Sequence, residues 1–265
     1  MRRFYAPPES FSADGSRVAL SREESRHLAG VLRLAANDEV RVFDGEGREF
    51  LCVVADAAAR GAAGATLEVR GRVAPACPES PLELTLACAL LKGEKFDTVV
   101  QKATELGVAR VVPVGTARAD VKLSRGGDGA RRVERWRRIA VGAAKQSGRA
   151  RVPTVERPTS LEELLSRDPS SGAEGSTSGT GAAARRLILA ERGGRGLAET
   201  VAAWGAKPTR VVALVGAEGG WEDEEIARAR GAGWQAVTLG GRILRAETAG
   251  IVAAALVQHL CGDLV

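Results

Sequence analysis

Val211-Val-Ala-Leu-Val-Gly-Ala-Glu-Gly-Gly-Trp221 and Leu239-Gly-Gly-Arg-Ile-Leu-Arg-Ala-Glu-Thr-Ala249 decide how this chain is read. Thr209 to Val215 is largely apolar and β-branched, as a parallel strand buried on both faces would be. Gly216, Gly219 and Gly220 permit a sharp turn and leave room for a ligand against bare backbone. Glu222 to Arg230 has helical spacing and an acidic first turn that suits the helix dipole. Gln235 to Leu239 is a second short strand, and Gly240-Gly241 opens a second loop. Ala249 to Val257 is apolar almost all round, the pattern of a helix in a core or an interface. Strand, glycine loop, helix, strand, glycine loop and helix in that order predict an α/β fold.

The first candidate ligand for such loops is a phosphate at a helix N-terminus. Glu222, Asp223, Glu224 and Glu225 occupy that first turn and would repel it. No Lys-Ser or Lys-Thr follows the glycines, so the Walker pattern is absent. A neutral or cationic nucleoside suits the loops better. Leu239, Ile243 and Leu244, with free backbone groups, could hold a purine, and Arg242 and Arg245 point to an anionic partner nearby. Either loop alone also reads as an ordinary glycine turn.

Together the two loops resemble the signature loops of the small-subunit (16S) ribosomal RNA methyltransferase E family, within the SPOUT superfamily. The family's first loop usually reads Gly-Pro-Glu-Gly-Gly; here it is Gly216-Ala-Glu-Gly-Gly220. The second usually reads Leu-Gly-x-Arg-Ile-Leu-Arg-Thr-Glu-Thr-Ala; here Ala246 replaces the first Thr, and Gly241 stands where Pro is common. The resemblance implies an S-adenosylmethionine-dependent enzyme that methylates N3 of a uridine in the decoding region. It also implies a deep trefoil knot formed by the two loops, and a homodimer with the active site at the subunit interface. Physical reasoning alone draws an open doubly wound sheet with its ligand beyond the strand ends, and it discourages a knot. By the resemblance, Ala190, Gly216, Glu218, Gly219, Gly220, Leu239, Gly240, Ile243, Leu244 and Ala249 hold the cofactor.

The remainder of the chain fits around this core. A length of 265 residues suits one or two domains. Net charge is +5, which permits an RNA partner without establishing one. Cys52, Cys77, Cys88 and Cys261 have no metal-ligand spacing, and His27 and His259 are the only histidines, so neither a metal site nor a disulfide framework is expected. The opening residues lack the apolar core of a signal peptide, and the C-terminal apolar run is too short to span a bilayer; a cytoplasmic protein is expected.

Residues 1–74 read as strands around one helix. Arg17 to Leu20 is a strand, and Ser21-Arg-Glu-Glu24 is a capping box opening a helix to about Leu32. Glu39 to Asp44 and Glu49 to Val54 form a hairpin, and Ala65 to Val73 is another strand. The pattern is a small β-barrel resembling the family's PUA-like domain, with Arg2, Arg3, Arg33 and Arg48 as candidate phosphate contacts or simple surface charge. Pro75 to Pro81 marks a boundary to a methyltransferase domain over 75–265.

In that second part, Leu82 to Leu91, Phe96 to Leu106 and Ala109 to Val114 spell strand, helix, strand, as a parallel sheet requires. Lys92-Gly-Glu-Lys95 resembles the family's equivalent turn, placing Lys92 and Lys95 among the RNA-contacting candidates. Arg131 to Ser147 is a helix carrying Arg131, Arg132, Arg135, Arg137 and Arg138 against Glu134, either a solvated face or a phosphate track. Gln146 and Arg149 match the family's Glu-Gln-Ser/Cys-x-Arg and join Arg242 as RNA candidates; Lys145 departs from its Glu. Asp168 to Ala184 is low-complexity and expected to be a mobile insertion. Arg186 to Ala190 returns to the sheet, and Leu197 to Trp204 is a short helix.

If the resemblance holds, the substrate is small-subunit ribosomal RNA in an assembled or nearly assembled subunit. Uridine N3 must lose its proton; an arginine close to O2 or O4 could supply much of the stabilisation that this takes, and Arg245 is the leading candidate. Glu247 is a proton acceptor, a loop brace or a helix-capping acid. Two other readings stay open: an enzyme of the same superfamily acting on a ribose 2′-oxygen or another base nitrogen, and a non-catalytic RNA-binding relative.

Overall fold

In the computed structural model of the chain, residues 2–57, 64–121, 128–167 and 183–265 are described. Residues 168–182 of the low-complexity stretch lie outside them. The chain divides into two compact units: residues 1–79 with 141–152, and residues 80–140 with 153–265.

The first unit contains β1 (Arg3–Tyr5), β2 (Arg17–Ala19), α1 (Arg22–Arg26), β3 (Glu39–Phe43), β4 (Glu49–Asp56) and β5 (Thr66–Val73). Ser21 caps α1 by accepting from the Glu24 amide, and the helix widens into a π turn over His27–Val31. The strands lie in the order β1-β3-β4-β5-β2, with β1 parallel to β3 and the other pairs antiparallel. The expected barrel is a half-barrel, because β1 and β2 lie at opposite edges of the sheet. Two register shifts in the β4–β5 pair bend it. Alternate side chains, Val40 and Val42 on β3 with Cys52 and Val54 on β4, pack with Phe4, Leu28 and Leu67.

One buried carboxylate organises this unit. Glu49 is fully buried and takes Arg3 Nε at 3.1 Å, Arg41 Nη1 at 3.6 Å and the Ala76 amide at 3.1 Å. Arg3 also donates to the carbonyls of Ala144, Lys145 and Arg149. Sequence reading did not anticipate β1, whose three residues are too few for periodicity to register.

The second unit contains β6 (Glu83–Ala89), α2 (Lys95–Glu105), β7 (Arg110–Gly115), α3 (Asp128–Ser147, whose last turns lie in the first unit), β8 (Thr154–Val155), β9 (Thr159–Ser160), α4 (Leu161–Ser166), β10 (Arg185–Leu189), β11 (Arg195–Gly196), α5 (Leu197–Ala202), β12 (Arg210–Val215), α6 (Asp223–Gly231), β13 (Gln235–Thr238) and α7 (Ala246–Cys261). The sheet runs β11-β13-β10-β12-β6-β7-β8, with β9 also on β7, and every pair is parallel. Capping boxes at Ser160 with Glu163 and at Glu222 with Glu225 start α4 and α6. These helices cover one face through Leu161, Leu164 and Ala229 against Ala87, Ile188 and Leu214. On the other face α7 packs against α2, β6 and β12. Gly250 of α7 faces Val99 of α2 and Cys88 of β6, each within 4.0 Å of where a Cβ would stand. The structure adds β8, β9, β11 and α4 to the expected elements, starts α3 at Asp128 and starts α7 at Ala246.

Arg3→Ala should lower stability by about 3 kcal/mol in urea unfolding, because removing one partner leaves Glu49 buried without its main charge partner. Unchanged stability would return Arg3 to the surface role that the sequence suggested.

Candidate active site

Three neighbouring strands, β13, β10 and β12, end side by side at their C-terminal edge, where ligands of parallel sheets bind. The loops that leave them line a cleft open to solvent. Ala190 and Glu191 come from the loop after β10, Gly216, Ala217, Gly220 and Trp221 from the loop after β12, and Thr238 to Leu244 from the end of β13 and the loop after it, with Ala246 and Ala249 of α7.

The first loop is a tight turn. Gly220 has φ +70° and its amide donates to the Ala217 carbonyl at 3.0 Å. A Cβ at Gly216 would lie 2.9 Å from the Trp221 ring, whose Nε1 donates to the Leu189 carbonyl at 2.7 Å, so the indole ties this loop to β10. The second loop turns at Gly240, φ +125°, where L side chains are strained. Gly241 to Leu244 makes no hydrogen bond to other described residues, leaving backbone donors and acceptors free in the cleft. Ile243 lines the same cleft and is 77% exposed. A purine nucleoside fits this lining: bare backbone at Gly240 and Gly241 with open space around each, apolar Leu239, Ile243 and Leu244, and a carboxylate at Glu191.

Of the cofactor candidates, Ala190, Gly216, Gly220, Leu239, Gly240, Ile243, Leu244 and Ala249 line the cleft, whereas Glu218 and Gly219 do not. The Cβ direction of Gly219 points at Arg118, 2.9 Å from its Cβ and 3.1 Å from its carbonyl, so this glycine is required by close packing of two turns. Glu218 faces Lys95, with Nζ 2.8 Å from Oε1. Burial raises the Glu218 pKa, but the Lys95 hydrogen bond, its own backbone amide and the charges of Lys95 and Lys92 outweigh it, and the net shift is down. Lys95 is shifted up, chiefly by the same hydrogen bond, with Glu247 adding to the shift and Arg245 opposing it. Sequence reasoning missed Glu191, Trp221 and Thr238. For Glu191 and Thr238 the signal was position, at or just beyond a strand's C-terminal end.

The two catalytic candidates sit together. Arg245 is exposed at the N-cap of α7, and Glu247 follows in its first turn. Glu247 Oε2 is buried without a hydrogen-bond partner among the described residues. Both, with Glu218, act electrostatically on Lys95. Beneath them, burial pushes the Cys88 thiol up to about 12, with Glu218 and Glu247 contributing, so it is a packed neutral group.

The RNA candidates divide. Arg2, Arg33, Lys92, Gln146 and Arg242 are exposed, Arg33 with φ 54°. Arg3 and Arg149 are corrected to internal braces: Arg3 holds Glu49, and Arg149, 3% exposed, holds Glu79 at 2.7 Å. Lys95 is taken by Glu218, and Arg48 is paired with Asp44 and Glu46. Lys145, the departure from the family's Glu, pairs with Glu24 at 2.7 Å over the Phe4 ring. Among the described residues no group of His, Cys, Asp and Glu is placed to hold a metal ion, and no helix is long and apolar enough to cross a membrane.

Comparison with known proteins agrees with this geometry. A model of the RNA methyltransferase domain matches residues 78–258, and a model of the RNA methyltransferase PUA domain matches residues 20–63. The chain is 33% identical to ribosomal RNA small subunit methyltransferase E of Synechocystis sp. over 92% of its length and 73% of the relative's. It is 32% identical to the Mycobacterium bovis protein of that name, over 90% and 85%. A crystal structure of ribosomal RNA small subunit methyltransferase E from Neisseria gonorrhoeae, bound to S-adenosyl methionine, superposes with a TM-score of 0.80 at 33% identity, covering 100% of both chains. Fold and cleft thus define an RNA methyltransferase with a PUA domain. Within that class, the chain belongs to the ribosomal RNA small subunit methyltransferase E family.

Gly219→Ala should lower thermal stability by about 1–3 kcal/mol, since the new methyl overpacks the turn at Arg118. Arg118→Gly in the same chain should recover part of that loss. A variant melting like the wild type would show that the two turns separate at no cost.

Proposed function

We propose that this protein transfers the methyl group of S-adenosylmethionine to N3 of a uridine in the decoding region of small-subunit (16S) ribosomal RNA. Family membership supports the reaction class. The observation that carries the assignment to this site is the cleft lined by both glycine loops, with Arg245 and Glu247 each next in sequence to the lining residue Ala246.

The cofactor, when bound, supplies an electrophilic methyl group. Leu239, Ile243 and Leu244 would flank its purine, the free backbone of Gly241 to Leu244 would read the base edge, and Glu191 would meet its hydroxyl or amino groups. Transfer in line with the leaving sulfur makes positioning the main task. Uridine N3–H ionises roughly two pKa units above neutral, so favouring the anion there takes about 2.7 kcal/mol. Arg245, exposed at the start of α7 and without an acidic side-chain partner among the described residues, would stabilise charge developing on O2 or O4. Glu247, with its unsatisfied Oε2, would take the N3 proton. Glu218 would act at one remove by fixing Lys95.

The reading extends to a homodimer, to a trefoil knot threading the two loops, to a cytoplasmic setting and to an assembled or nearly assembled subunit as substrate. Leu256 of α7, 36% exposed, and Leu264, 41% exposed, are apolar surface of the kind a second copy would cover.

Arg245→Ala should cut methyl transfer by about a hundredfold or more, as loss of one transition-state donor does, while cofactor binding persists. Raising the pH should restore part of the rate, because more uridine is then ionised. Normal single-turnover rates in the variant would remove Arg245 from the chemistry. The whole assignment is tested by mass spectrometry of ribosomal RNA nucleosides with and without the gene: 3-methyluridine should vanish from the small subunit, and loss of a 2′-O-methyl nucleoside instead would redirect it.

A further inference from the structure

The arginine-rich part of α3 takes no part in the cleft, yet its geometry is specific. Val133, Trp136 and Ala140, spaced i, i+3, i+7, are its buried stripe. Trp136 packs tilted against Phe96 of α2 with ring centroids 4.4 Å apart and donates through Nε1 to Asp97 at 3.0 Å. These contacts fix the rotation of the helix. Arg131, Arg135 and Arg138 therefore run along the opposite face, with Arg132 and Arg137 flanking them, all exposed.

Asp97 also binds Arg135, and Glu94 lies 3.6 Å from it. Arg131, Arg132, Arg137 and Arg138 have no acidic side-chain partner among the described residues. Arg135 has Arg131, Arg132 and Arg138 as its helical neighbours, and like charges at this spacing destabilise a free helix. An anionic partner would relieve that repulsion. The face is also tied to the site: Lys95 and Asp97 share the first turn of α2, one holding Glu218 of the glycine loop and the other holding α3. The arginine row thus meets α2 through Arg135 on Asp97, two residues from the Lys95 that braces the glycine loop.

We propose that the exposed α3 face of Arg131, Arg132 and Arg138 is a phosphate-binding surface for the RNA strand that flanks the target nucleotide. It rests on the RNA methyltransferase reading above. Guanidinium groups suit phosphate oxygens because each donates two parallel hydrogen bonds, and here five arginines face a single Glu134 within eight residues. Such contacts raise affinity by releasing counterions and carry no base information. The face therefore holds the RNA, and the cleft chooses the atom.

The test compares the wild type with R131Q/R132Q/R138Q, and with R157Q/R195Q/R228Q as a control that removes three exposed charges elsewhere. Binding of a decoding-region transcript is titrated against salt, and methylation of small subunits is followed in parallel. The α3 variant should bind the transcript at least about tenfold more weakly at low salt, with a log–log salt slope smaller by about 2, at ~0.7 per single-strand phosphate. Its turnover at saturating RNA and its S-adenosylmethionine binding should match the wild type, and the control should keep its slope. Equal slopes in the α3 variant and the wild type, or equal losses in variant and control, would overturn the proposal. So would an unchanged transcript slope with weakened binding to assembled subunits, which would assign the face to a ribosomal protein. A wild type that binds RNA yet methylates none would instead sink the enzymatic reading.

Discussion

Parallel pairing of β12, β10 and β13 is the constraint on which the site depends. Leu187 of β10 lies in register with Ala213 on one side and Gln235 on the other. Parallel strands cannot be joined by tight hairpins, so each connection must leave one edge and return at the other. Every loop that follows a strand therefore collects at one edge. Here that edge receives Ala190, Gly216 and Leu239 together. The glycines are needed because these loops crowd: Gly216 against Trp221, Gly219 against Arg118, Gly220 against Glu191.

Beside the cleft, charge is arranged unevenly. Lys95 is committed to Glu218, while Glu247 keeps a buried, unsatisfied oxygen and Arg245 is exposed. A buried carboxylate oxygen without a donor is costly unless a ligand or proton completes it. The glycine loop, α2 and α7 thus meet around one partly satisfied cluster. The Lys95–Glu218 pair persists at neutral pH, because the Glu218 pKa is shifted down and that of Lys95 up.

Much of the basic charge in the first unit is structural. Glu49, fully buried, requires Arg3 and Arg41, and Glu79 requires Arg149. Such arginines cannot be told from nucleic-acid contacts by composition, because guanidinium serves buried carboxylates and phosphates through the same paired donors. Lys145 is a similar case, held by Glu24 far away in sequence.

The sequence by itself determined the elements and the loops. Apolar, β-branched runs such as Val211 to Val215 can only be buried strands, glycines beside them can only be turns or close approaches, and the apolar α7 must be covered. These are local properties of residue type and spacing. Only the tertiary structure decided that β10 lies between β12 and β13, which are consecutive in the chain's second half. That order brings Glu191 and Trp221 into the cleft and turns Glu218 and Gly219 out of it. It rests on long-range hydrogen-bond register between strands, which leaves no periodic trace in the residues themselves.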